Sequence, residues 1–131
     1  IILTRPKIYQ SVVIGLLVGV VSQIPMLSAT PLVNIASEMV GALVCGILVT
    51  VLAKVARDNK TCQNVVFPII TTFISTVFSG YTFAMIVGVV VAHLDPLAVF
   101  GVYAVMVLGT ATMNAVLAAI LTPVLRAVLK R

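Results

Sequence analysis

Residues 34–56 read NIASEMVGALVCGILVTVLAKVA, with one acid near the start, one base near the end and no charge between them. A hydrocarbon core of about 30 Å is crossed by roughly 20 apolar residues in a helix. The alternative, a strand, needs a closed barrel to satisfy its backbone in lipid, and no alternating pattern recurs along this chain. The stretch therefore reads as a transmembrane α-helix. Asn34 is its predicted N-cap, with Ser37 and Glu38 in the first turn, where an acid complements the helix dipole.

Three further stretches fit the same description on either side. Residues 8–27 form the first span, ended by Pro25 and the loop Ser28-Ala29-Thr30-Pro31. Residues 63–94 form the third, longer than a bilayer requires, with Ser79-Gly80 as the predicted point of tilt or breakage. Residues 97–129 form the fourth, opened by Asp95-Pro96 and carrying Pro123 near its inner end. Composition agrees: of 131 residues 62% are hydrophobic and only 8% charged, and the mean hydropathy is +1.29. A soluble domain is about a quarter charged. The predicted fold class is all-α, an integral membrane bundle of about four helices in one domain covering residues 1–131. The first residue is Ile, so a preceding segment is expected, either further helices or a removed signal peptide.

Charge placement predicts orientation. The eight Lys and Arg residues fall in three places: Arg5 and Lys7 before the first span, Lys54, Arg57 and Lys60 between the second and third, and Arg126, Lys130 and Arg131 at the end. Four spans bring these three regions to one side, and basic loops remain cytoplasmic. The other side carries Glu38, His93 and Asp95. The expected location is the cell membrane, with basic loops and C-terminus inside. The net charge of +5 then reflects topology and contact with anionic lipid. No basic patch interleaved with aromatics suggests nucleic acid.

Catalysis has little to work with. There is one His, no phosphate-binding Gly-rich loop and no metal-ligand spacing, so neither enzyme activity nor a cofactor is predicted. Cys45 lies in an apolar stretch and Cys62 in a basic loop, which argues against a disulfide. A transporter needs less: a few polar groups, inside apolar helices, that replace a substrate's hydration. Glu38, one turn after Asn34, is suited to the ammonium of an amino acid, with Asn34 and free N–H groups of the helix start on its carboxylate. Alternatively Glu38 is a solvated acid favouring the dipole. Asn114, one turn after Thr110, sits in mid-span and needs either a ligand or a neighbouring helix. Thr71, Ser75 and Ser79 form a stripe that faces a substrate path or bonds back to its own helix. Gln23 joins an outer polar cluster or caps a loop, and His93 with Asp95 forms a proton relay or a solvated turn. Phe78, Tyr81, Phe83, Phe100 and Tyr103 make an aromatic slot for a ring-bearing ligand, or packing and interfacial anchors. Gly15 and Gly19, and the face Gly41, Cys45, Val49, permit close helix approach.

The order of several short motifs resembles the tryptophan transporter family of small prokaryotic membrane proteins, relatives of the substrate-binding subunits of energy-coupling factor transporters. The likeness covers most of the chain: Arg5-Pro6-Lys7 leading into Ile14-Gly15-Leu16-Leu17-Val18-Gly19, a Pro-containing loop leading into Asn34-Ile35 and then Val40-Gly41-Ala42, Ser79-Gly80 in the long third span, and Asn114, Pro123-Val124-Leu125 and Lys130-Arg131 at the end. The resemblance implies a six-helix bundle that takes up an aromatic amino acid. The last four helices, and the tail of the second at residues 1–4, are the part present here. It also implies a partner, an energy-coupling factor transmembrane and ATPase module, although the helix expected to dock on it lies outside this chain. The family has an acid-base pair just after Asn-Ile where this chain has Ala36-Ser37-Glu38. The site residues that follow are Asn34, Glu38, Ser79, Tyr81 and Asn114. Two other readings stay open: a vitamin or precursor as substrate, and a structural subunit of a membrane complex that binds no small molecule.

Overall fold

The computed structural model describes residues 1–2, 7–22, 31–55 and 62–129. It contains four α-helices: α1 (Ile8–Val21), α2 (Pro31–Val55), α3 (Phe67–Met85) and α4 (Pro96–Leu129). π-Helical segments, Cys62–Val66 and Ile86–Val91, extend α3 at both ends. There is no strand among the described residues. The all-α bundle expected from composition is what forms.

Local chemistry fixes several of the boundaries. Asp95 caps α4, its carboxylate accepting the Leu97 N–H at 2.7 Å, and Pro96 occupies the first helical position, where its missing N–H costs nothing. The Gln10 side chain likewise accepts the Lys7 N–H at 2.9 Å and ties the start of α1. His93 takes a left-handed backbone, φ 53°, and the Leu94 N–H reaches back to the Gly88 carbonyl at 2.9 Å. This closes the π-helical end much as a Schellman motif closes an α-helix, with a wider loop.

Two boundaries differ from the sequence reading. Helix α2 begins at Pro31, so Asn34 lies inside the first turn and is no N-cap; proline, with φ already helical, starts the helix three residues earlier. Ser79-Gly80 does not break the third span. The α-helix runs through it, and the irregular backbone lies instead in the flanking π segments. The reason is packing: both residues sit at helix contacts, where small side chains let neighbours approach. The expected continuation of α1 to Leu27 falls outside the described residues.

The helices pack in chain order, α1 on α2, α2 on α3 and α3 on α4, and small residues set each contact. A Cβ placed on Gly15 would lie 2.5 Å from the Ala42 Cβ, one on Gly19 2.8 Å from the Ile35 Cα, and one on Gly46 2.7 Å from the Ser11 Oγ. Steps of four up α1 (11, 15, 19) thus meet steps of four and seven down α2 (46, 42, 35), an antiparallel crossing. Gly41 meets Ser79 on α3, Gly80 meets Val107 on α4, and Gly88 meets Val99. The same antiparallel alternation brings Lys7, Lys54 and Arg126 to one end of the bundle, and His93 and Asp95 to the other.

Among the described residues three stretches are long and apolar enough to cross a membrane: Leu32–Lys54, Phe67–Val91 and Pro96–Leu129, with α1 shorter. Less than a quarter of each is buried inside the protein. Leu32, Leu97 and Val105 are each more than 80% exposed, an arrangement that water would penalise and lipid would not. The core that remains is built of small and β-branched groups: Ala84, Val99 and Ala111 are fully buried, together with Ser11 and Thr71.

Candidate functional site

The helices border an open cavity of about 480 Å³ to which all four contribute, within the usual range for small-molecule sites. Helix α1 supplies Ile14, Gly15 and Val18; α4 supplies Met106, Val107, Thr110 and Asn114. Helix α2 gives Asn34, Ser37, Glu38, Gly41, Ala42 and Cys45, residues spaced by three and four that share one helical face. Helix α3 gives Ser75, Thr76, Ser79, Gly80 and Phe83.

Of the residues singled out in the sequence, Asn34, Glu38, Ser79 and Asn114 all border this cavity. Tyr81 does not. Its ring stacks on Phe100, centroids 4.1 Å apart and planes 7° off parallel, so it joins α3 to α4 beside the site. Phe78 is 53% exposed on the outer surface. The expected aromatic slot is not assembled around the cavity; Phe83 is the aromatic that lines it. Ser75 borders the cavity while its stripe-mate Thr71 is buried elsewhere, its hydroxyl without a partner among the described residues. Asp95 caps a helix, as in the solvated-turn reading. Gln23 falls outside the described residues.

Several of the polar groups are held by their neighbours. The Ser22 hydroxyl donates to the Gly19 carbonyl at 2.7 Å, and the Asn34 amide nitrogen donates to the Ser22 oxygen. The end of α1 thereby orients a side chain on α2. The Asn114 amide nitrogen donates to the Thr76 hydroxyl at 3.3 Å, joining α4 to α3. Ser37 donates to the Asn34 carbonyl (2.9 Å), Ser75 to Thr71 (2.6 Å) and Thr110 to Met106 (2.8 Å). Glu38 forms no ion pair among the described residues. Neither Cys45 nor Cys62 is in a disulfide, and no cluster of metal-ligating side chains exists among the described residues.

Ser22, Ser37 and Thr76 were not singled out in the sequence. Ser37 had a signal, since it shares the face of Glu38, Gly41 and Cys45. Thr76 and Ser22 had none, because their roles depend on Asn114 and Asn34 arriving from other helices.

The fold and cavity define the class: an all-α membrane-type helical bundle with an open, mostly apolar cavity between its helices that carries a few polar groups. No family model matches the chain, and no curated protein or solved structure does either.

Proposed function

We propose that this chain is the substrate-binding part of a membrane transport protein, and that its cavity receives a small molecule bearing a protonated amine. The observation that carries the reading is Glu38: one carboxylate on the wall of a cavity otherwise lined, among the described residues, by neutral side chains. Polar groups placed at membrane depth are costly and are commonly functional. An ammonium is the natural partner for such a group. The aliphatic side chains of Ile14, Val18, Met106 and Val107, with Phe83, suit an apolar ligand body. Tryptophan is the substrate the family resemblance nominates, and an energy-coupling module is the partner it nominates. The basic end of the bundle, bearing Lys7, Lys54 and Arg126, faces the cytoplasm in this reading.

A structural subunit without a ligand is the second reading. The Asn34–Ser22 and Asn114–Thr76 bonds favour it, since both tie helices together. It leaves Glu38 beside the cavity with no ion-pair partner among the described residues.

Thermal unfolding of the purified protein with tryptophan, other amino acids, amines and vitamins tests the proposal. A ligand that binds only the folded state stabilises it by about 2.7 kcal/mol at 100 times its dissociation constant. A selective shift that Glu38→Gln weakens is the expected result. Vitamins shifting the protein while amines and amino acids leave it unmoved would replace the ligand. No shift with any compound would favour the structural reading.

A further inference from the structure

The hydrogen bonds of the cavity wall run in one direction. A hydroxyl has one proton and two lone pairs. Ser37, Ser75 and Thr110 each commit the proton to a carbonyl of their own helix, so what each has left is lone pairs, and on Ser75 the Cys45 thiol competes for them. The asparagines are oriented in the same sense. Because the Ser22 hydroxyl already donates to Gly19, it can meet Asn34 only as an acceptor, and Asn34 must turn its NH₂ to it. That leaves the Asn34 carbonyl oxygen as the uncommitted end. Asn114 also gives its NH₂ to a neighbour, Thr76, and keeps its oxygen. Glu38, when ionised, only accepts.

The wall is thus rich in acceptors on three helices, and the donors that remain are few and neutral, chiefly the hydroxyls of Ser79 and Thr76. Among the described residues no Lys, Arg or His borders the cavity. Ile1 also borders the cavity. The main-chain N–H groups along the lining faces are engaged within their helices. The sequence reading placed a ligand carboxylate on Asn34 and on free N–H groups of its helix start; with α2 beginning at Pro31, the Asn34 N–H is no longer one of them.

An amino acid brings both charges into this chamber. Its ammonium meets Glu38 and the amide oxygens. Its carboxylate meets a like charge and almost no donors, and an unpaired charge is expensive to desolvate. We infer that the cavity, as an acceptor-lined chamber around Glu38, selects cationic amines whose carboxyl group is absent or esterified over the matching zwitterionic amino acids. This rests on the proposed function, since it names the ligand class of the same site.

The test is equilibrium binding to the full chain in lipid nanodiscs at about pH 6, where these amines are protonated. The probes are tryptamine, tryptophan methyl ester, tryptophan, and indole-3-propionate, which keeps the ring and carboxylate but lacks the amine. A second pair, phenethylamine and phenylalanine, separates the charge effect from the ring. The same series is run on a chain extended before Ile1, so that its nitrogen is an uncharged amide. The expected result is that each amine and the ester bind at least tenfold tighter than the parent amino acid, with indole-3-propionate weakest. Glu38→Gln should lower amine affinity and shrink the ratio, and Glu38→Asp should restore part of it. Tryptophan binding as tightly as tryptamine, or tighter, would overturn the inference while leaving the proposed function standing. Failure of every amine and amino acid to bind would overturn both.

Discussion

Gly15 occupies the middle of α1, and replacing it with alanine tests how the bundle is held together. The added Cβ would lie 2.5 Å from the Ala42 Cβ, 2.8 Å from the Glu38 carbonyl oxygen and 3.1 Å from the Met39 Cα. Two of these are backbone atoms that cannot rotate away. Carbon atoms rest at about 3.5–4.0 Å, so α1 and α2 must move apart by roughly 1 Å. That movement also loosens Ser11 on Gly46 and Gly19 on Ile35. Overpacking of this kind costs about 1–3 kcal/mol. Alanine is also the better helix former, by about 1 kcal/mol, which partly masks the cost. Gly109→Ala supplies the correction, because nothing lies within 4 Å of a Cβ there and the same propensity gain applies. Equilibrium unfolding in mixed micelles should therefore place Gly15→Ala below Gly109→Ala by about 1–3 kcal/mol. Two variants within about 0.5 kcal/mol of each other would refute the close α1–α2 crossing.

The remaining predictions concern single bonds and topology. Ser22→Ala and Asn34→Ala should be coupled in a double-mutant cycle by about 0.6 kcal/mol, the usual size of an interhelical polar bond in membranes, and an uncoupled pair would remove the link between α1 and the cavity wall. Asp95→Ala should cost about 1 kcal/mol through loss of the α4 cap, with Asp95→Asn largely tolerated; equal losses in the two unfolding curves would contradict the cap. Cys62 lies beside the basic loop, so in whole cells a membrane-impermeant maleimide should label it only after permeabilisation. Labelling of intact cells would invert the proposed orientation.

The membrane character of the chain was legible because it depends on composition and run length, which need no partner. The start of α4 was legible for a similar reason: Asp95 caps a residue two positions away, so the whole device lies within Asp95-Pro96-Leu97. Asn34 looked like a cap because the residue type fits, yet Pro31 had already opened the helix. Gly80, beside Ser79, looked like a break because glycine is a poor helix former. In the bundle these two residues serve as a contact surface, and their partners, Gly41 and Val107, lie 38 and 27 positions away on other helices. Glu38, Asn114 and Ser79 could be chosen from the cost of polar groups in lipid, since that cost applies wherever the residue lies. Tyr81 was chosen as an aromatic near the site, and only the arrival of Phe100 determines which side its ring takes. Ser22 and Thr76 stayed invisible for the same reason.

Accessibility of Cys45 tests the central claim, that the cavity is a ligand site, most directly. This thiol lines the chamber on the same face of α2 as Glu38. With Cys62 replaced by serine, its rate of modification by a small methanethiosulfonate reagent is measured with and without saturating tryptamine or tryptophan. Slowing by tenfold or more with a bound ligand, and none with Glu38→Gln at the same concentration, is the predicted result. A ligand that binds the protein yet leaves the rate unchanged would place the binding site elsewhere and contradict the account.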